Sequence, residues 1–396
     1  MRKNILFITW DGPQTSYAEG LFMPIFHEIE KINPNYKFHY LQFTWADNTQ
    51  SQQQASMDYN IPYASAPISR KPIPVIGSII SLFQGKKQIK QAIKMWNIDI
   101  LMPRSNFPAF MVGKLNTNLP VIFDADGLPI EERIDFAGLK RGGFMHKFLK
   151  SIEKKAIQNS DHIITRSQKS IKYHLQQYNP TDKDKFTVVS NGRDVKSFKP
   201  KNILREEKRN ELGIENNTTV FIYAGSFGPQ YGWDIMLNTF QAYLKINSNA
   251  HFLFLTGSPE KVSPLVPKDI NHKFTIKKVP FSQVANYLNV ADIAFAIREP
   301  KFSMQGVAPI KLGEYLLMGI PTIASDGIGD TKEIIQNIPG TLLYNHQMPP
   351  TEEEILAFIN LTKNISKNTI RDKALSIFSL EASATTYIKA LKKLNS

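Results

Sequence analysis

The chain has 396 residues, 42% of them hydrophobic and 21% charged, which is the composition of a globular protein and enough length for two domains with separate cores. It contains no cysteine, so disulfides, thiolate nucleophiles and Cys-based zinc or iron–sulfur sites are excluded, and a cytoplasmic setting is expected. The net charge is +13, and residues 1–196 carry 26 Lys/Arg against 17 Asp/Glu.

The basic residues are grouped. Ser69–Lys94 holds six and no acidic residue, and Gly138–Lys172 holds nine against two acidic. They are interleaved with Ile, Leu, Phe and Trp96, a pattern that predicts peripheral contact with the anionic inner face of a membrane. Charge is the only feature pointing to nucleic acid, and no recognition motif accompanies it, so no nucleic-acid partner is expected. Pro74–Phe83, the longest apolar-leaning run, has ten residues, far short of a membrane span.

MRKNILFITW reads as a first strand with no small-residue cleavage site, not as a signal peptide. The next stretch, WDGPQTSYAEG, is a strand–helix loop. In it Gly12 permits close approach of backbone to a ligand, and Gln14, Ser16, Tyr17 and Glu19 offer hydrogen bonds to a polar acceptor. Helical periodicity follows over Tyr17–Ile32, a strand over Phe38–Phe43, and a polar Gln-rich loop or mobile helix over Asn48–Tyr63. Ile79–Trp96 reads as a helix. Short apolar strands come at Ile98–Met102, Val121–Asp124, Ile163–Thr165 and Thr187–Ser190. Alternating strands and helices are the signature of a doubly wound parallel sheet. Asp124-Ala-Asp126 ends one strand. Two carboxylates alone are an incomplete set for a divalent ion, so metal holding is the less favoured reading of the pair, and two further carboxylates, Glu131 and Glu132, follow at once.

A second series of strands is predicted at Thr219–Ala224, Phe252–Thr256, Phe274–Lys277, Ile293–Ile297, Pro321–Ser325 and Thr341–Tyr344. The loop after the first of these, Gly225-Ser226-Phe227-Gly228-Pro229-Gln230-Tyr231-Gly232, lets backbone amides approach a diphosphate. In SMQGVAPIKLGEYLLMGIPTIASD, Pro309 suits a first helical turn and Gly319 a left-handed close, which brackets a helix over Pro309–Met318. The small residues Gly306, Val307 and Ala308 precede it, and free N–H groups at a helix start attract phosphate. Lys311 and Glu314 fall on one face. A phosphate site with a carboxylate one turn on suits a nucleotide. Lys311 and Arg298 are the candidate cations. The segments Ile355–Asn364 and Ser379–Leu394 read as amphipathic helices.

P-x-K-x-x-E-Y-x-x-x-G-x-P-x-x-A-S resembles the donor-binding signature of retaining glycosyltransferases of the GT-B fold, glycosyltransferase family 4. Those enzymes usually show two Glu separated by seven residues. Glu314 matches the second, which in the family holds the ribose, and the first falls on Gly306. The family's loop Lys is replaced by Tyr231. FTVVSNGRDVKSFKP (Phe186–Pro200) is similar to the family's interdomain connection.

The resemblance implies an α/β GT-B protein with two Rossmann-like doubly wound domains facing a cleft. Residues 1–196 would bind the acceptor and residues 197–375 the nucleotide sugar, and residues 376–396 would form a helix packing back on the first domain. It further implies transfer of a hexosyl or N-acetylhexosaminyl group from a nucleotide sugar to a glycan or lipid-linked acceptor. Configuration would be retained, with no divalent metal or other cofactor, in synthesis of a surface polysaccharide. Donor contacts would come from Glu314, Gly306, Val307, Ala308, Arg298, Ser226 and Gly228, catalytic groups would be Asp126 and Lys311, and acceptor contacts Gly12, Gln14, Tyr17 and Glu19. The alternatives are a nucleotide-sugar epimerase of the same fold and a non-catalytic nucleotide-sugar-binding subunit.

Overall fold

A computed structural model describes residues 2–12, 16–179 and 184–395 of the chain. It divides into two compact units, residues 1–192 with 380–396, and residues 193–379.

In the first unit the strands are β1 (Lys3–Asp11), β2 (Tyr36–Thr44), β3 (Tyr63–Pro67), β4 (Ile100–Pro103), β5 (Ile122–Asp124), β6 (His162–Thr165) and β7 (Phe186–Val188). Two all-parallel ladders, β3-β2-β1-β4 and β5-β6-β7, are joined by the bridges Leu101–Val121 and Arg104–Asp124. The resulting order is 3-2-1-4-5-6-7. Central β1 is apolar on both faces, as a strand covered by helices on both sides must be. Leu6 and Ile8 join one core with Leu41, Leu101 and Met111, while Phe7 packs on the other face against Phe22, Phe26 and Tyr40. The Leu380–Lys392 helix belongs to this unit: Tyr387 meets Phe26 edge-on, and the Ser383 hydroxyl donates to the Ser190 carbonyl at 2.6 Å.

The second unit holds β8 (Thr219–Ala224), β9 (Ala250–Leu255), β10 (Phe274–Lys277), β11 (Ile293–Ala296), β12 (Thr322–Ser325) and β13 (Thr341–Tyr344), all parallel. Their order, β10-β9-β8-β11-β12-β13, is the 3-2-1-4-5-6 of a dinucleotide-type sheet. Alternation along β8 divides the interior. Val220, Ile222 and Ala224 enter one core, and Phe221 and Tyr223 the other.

Three stretches sharpen or change the expectation. Of the loop and helix expected within Asn48–Tyr63, Gln50–Tyr59 is a helix closed by Asn60 in the left-handed conformation (φ 54°), and β3 follows at Tyr63. The helix predicted from Ile79 starts at Pro74, one turn before Gly77. Its glycines are demanded by packing, since a Cβ on Gly77 would lie 2.4 Å from the Ser69 carbonyl oxygen. Tyr17–Ile32 divides into a π-helical turn, Ala18–Phe22, and an α-helix, Met23–Ile32.

Candidate active site

In the second unit the order reverses between β8 and β11, and ligands of such sheets bind beyond the carboxyl ends of the strands at that point. Three segments meet there. After β8 the Gly225–Gly232 loop turns into the Trp233–Ile246 helix, and the Tyr223 hydroxyl pins the loop by donating to the Ser226 carbonyl at 2.6 Å. A Cβ on Gly232 would sit 2.5 Å from Ile297, whereas one on Gly228 would meet nothing within 4 Å. Packing therefore explains Gly232, while Gly228 borders open space. Beyond β11, the Arg298 N–H donates to the Ser325 hydroxyl at 2.9 Å. Its guanidinium lies 5.0 Å over the Tyr231 ring, with Nη1 3.6 Å from Met304 Sδ. Arg298 thus ties the glycine loop to the Phe302–Gly306 turn that leads into the third segment.

That segment is the Ile310–Leu317 helix, with Pro309 as N-cap. Gly319 closes it at φ 64°, where a Cβ would lie 2.3 Å from the Lys367 carbonyl oxygen. The Ala224 N–H donates to the Tyr315 hydroxyl at 2.8 Å, fastening the helix to the end of β8. Glu314 is 0% exposed, yet it accepts from Lys311 Nζ on Oε2 and from Arg193 Nε on Oε1, each at 2.9 Å. Burial alone would push this carboxyl up, but Lys311 and Arg193 outweigh it and hold it below the usual carboxylate range. Arg193 is placed by its own N–H, which donates to the Phe378 carbonyl at 2.8 Å. The adjoining chain is gripped by Arg371, whose guanidinium donates to the carbonyls of Val195, Phe198 and Leu317. Lys311, one-third exposed, covers Glu314. A carboxylate accepts about four hydrogen bonds and these two ion pairs occupy two of them, so capacity remains on Glu314.

The strand ends of the first unit carry different chemistry. Asp124 is fully buried and receives Arg104 Nη1 at 3.3 Å and Arg166 Nη2 at 2.7 Å. Asp126, at φ 61° and with its side chain about one-third exposed, receives Arg104 Nη2 at 2.7 Å. Both carboxylates of the D-x-D are therefore paired with arginine. Among the described residues no group of three or more His, Asp or Glu is arranged to hold a metal ion. Nearby Asp11 accepts from the Thr9 hydroxyl at 2.5 Å and from Gln42 at 3.0 Å, and burial pushes its carboxyl up.

Of the acceptor candidates, Tyr17 lies beside Arg104, 5.8 Å from its guanidinium. Glu19 accepts from Gln52 at 3.4 Å, and burial raises it. The missing side chain of Gly12 is accounted for by Trp45, whose ring would lie 2.8 Å from a Cβ there. Gln14 is outside the described residues. Glu131 is committed to a network with Lys150, Arg141 and Tyr173.

The sequence reading did not single out Arg104, Arg166, Arg193 or His346, whose Nε2 is 2.9 Å from the Ser325 hydroxyl. Arg104 and Arg166 each stand just past a predicted strand end, the same signal that found Asp126.

Residues 43–197 match the family model of Glycosyltransferase Family 4. A comparison with curated proteins gives no match. Among solved structures, a glycosyltransferase from Rickettsia africae is 16% identical, with 100% of this chain and 99% of that one covered and a TM-score of 0.68. Sucrose-phosphate synthase from Thermosynechococcus elongatus is 14% identical, covers 100% and 99%, and has a TM-score of 0.70. HepE from Anabaena in complex with UDP is 16% identical, covers 99% and 100%, and has a TM-score of 0.70. At these identities the likeness is one of fold. The chain has the GT-B fold, built of two Rossmann-like parallel-sheet units.

Proposed function

We propose that this chain is a retaining, metal-independent glycosyltransferase that moves a hexosyl or N-acetylhexosaminyl group from a nucleotide-sugar donor to a glycan or lipid-linked acceptor in surface-polysaccharide synthesis. The observation that carries the reading is the convergence of the glycine loop, Arg298 and the Lys311–Glu314 pair at the switch point of a 3-2-1-4-5-6 sheet. The family match over residues 43–197 and a fold shared with a UDP-bound structure support it.

In this reading the diphosphate lies against Gly228 and the Gly306–Ala308 turn. Lys311 swings from Glu314 to the diphosphate and frees a carboxylate oxygen for the ribose hydroxyls. As the glycosidic bond breaks, an oxocarbenium-like sugar forms, and Lys311 and Arg298 stabilise the negative charge growing on the leaving group. Asp126, held by Arg104, is the acceptor-side carboxylate. No protein nucleophile takes part.

The test is thermal shift of the purified protein with UDP, GDP, CMP and their sugars. A ligand that binds only the folded state raises the Tm. One nucleotide should do so, and Glu314→Ala should abolish the effect. A folded protein indifferent to the whole panel would refute the donor site. Product analysis with and without acceptor then separates transfer from epimerisation, which yields a sugar product with no acceptor present.

A further inference from the structure

The first half of the Pro74–Trp96 helix is built inside out. Its inward positions there are Gly77, Ser81, Leu82 and Gly85, and small residues are required: a Cβ on Gly85 would lie 2.1 Å from Met111 Sδ, and the Ser81 hydroxyl accepts from the Ser69 N–H at 2.8 Å. The large side chains point outward. Ile73, Val75, Ile76, Ile79, Ile80 and Phe83 are each 40–59% exposed. They recur at helical spacing along one face, and a soluble monomer gains nothing by leaving such a face bare.

The patch is continued by a chain of rings. Phe83 meets Phe110 at 5.6 Å, and Phe110 meets Phe148 at 5.8 Å. One turn before Phe148 stands Phe144, 85% exposed. Cations border both parts, with Lys71, Lys86, Lys87 and Lys90 exposed on one side and Arg141 and Lys147 on the other. Residues 59–98 contain no Asp or Glu at all. No helix among the described residues is long and apolar enough to cross a membrane.

We infer that this face is a membrane-docking surface, with Ile76, Ile79, Ile80, Phe83 and Phe144 entering the interfacial layer of a bilayer while the lysines meet anionic lipid headgroups. Charge complementarity selects this occupant. An apolar stripe fits the acyl boundary, and the exposed lysines beside it, in a stretch without acidic residues, fit a surface of phosphates. The surface lies wholly within the first unit and does not depend on the nucleotide reading.

The experiment is co-sedimentation of the full chain with phosphatidylcholine vesicles, with and without phosphatidylglycerol, at low and high salt. Binding is expected only with the anionic lipid, and weaker at high salt. Phe83→Ser with Ile79→Ser should lower it about tenfold, and Lys86→Gln with Lys87→Gln about fivefold for each charge removed, with the Tm unchanged because all four side chains are exposed. Phe83→Trp should shift its emission to the blue on binding and be quenched by brominated acyl chains. Binding that the serine variant leaves intact would overturn the proposal, as would no vesicle uptake. Self-association abolished by Phe83→Ser, without uptake, would assign the face to a second copy of the chain instead.

Discussion

The two units share the strand order 3-2-1-4-5-6, to which the first adds a seventh strand, and differ in what their strand ends carry. In the first, four charged groups pair with one another, Arg104 and Arg166 closing on Asp124 and Asp126, and only Arg166 Nη1 of the arginine nitrogens there is buried without a hydrogen-bond partner among the described residues. In the second, Arg298 leans on a ring, Lys311 is one-third exposed, and the room beside Gly228 is open. One end is a set of mutually paired ions, and the other holds two cations with a carboxylate, Glu314, that has accepting capacity to spare. A common sheet therefore dictates where a site is placed but not how far its charges are already paired with one another.

The contrast can be broken most forcefully at Asp124. Asp124→Ala leaves two buried guanidinium groups with only the one-third exposed Asp126, and should cost about 3–5 kcal/mol of stability. Urea unfolding measures it, and a loss of under about 1 kcal/mol would show that the cluster is solvated rather than closed. Acid is the next probe. His174 is buried against Tyr178 and Phe186, neither ring nitrogen has a partner, and burial lowers its pKa to about 4. The unfolded chain takes up this proton near pH 6.5. The contribution is thus complete above that pH and is lost as the pH falls towards 4, by about 3 kcal/mol. Melting curves from pH 7 to 5 should flatten in His174→Phe, which keeps the ring stack. The smallest change in stability is expected at Lys311. Lys311→Met leaves the buried Glu314 with Arg193 alone and should cost about 1–2 kcal/mol, while weakening the nucleoside diphosphate that the thermal-shift panel selects about tenfold or more through the lost charge-assisted contact, with its nucleoside unaffected. Equal losses for the diphosphate and its nucleoside would place Lys311 away from the diphosphate.

The fold was legible because buried parallel strands are short apolar runs with turn residues between them, and β8, β10 and β13 begin and end where their sequences predict. For Gln50–Tyr59 loop and helix both stayed open, since only Ala55 of its ten residues is buried and no apolar period marks it. At the site, the spacing of Lys311 and Glu314 announced their contact. The Arg193–Glu314 pair is separated by 121 positions and exists only because the Arg193 backbone is tied to Phe378. Similarly, nothing local says that Arg104 and Arg166 share Asp124. That follows from β4, β5 and β6 being neighbours, which pairing decides and periodicity does not reveal.

The Leu380–Lys392 helix has a consequence for the order in which the molecule is made. It supplies Ala384, Tyr387 and Leu391 to the interior of the first unit, yet it is translated after every residue of the second. On the ribosome the second unit can close as soon as Ser379 has emerged. The first must wait with Phe26 and its neighbours uncovered. The half of the chain that is synthesised first is therefore the half that finishes folding last.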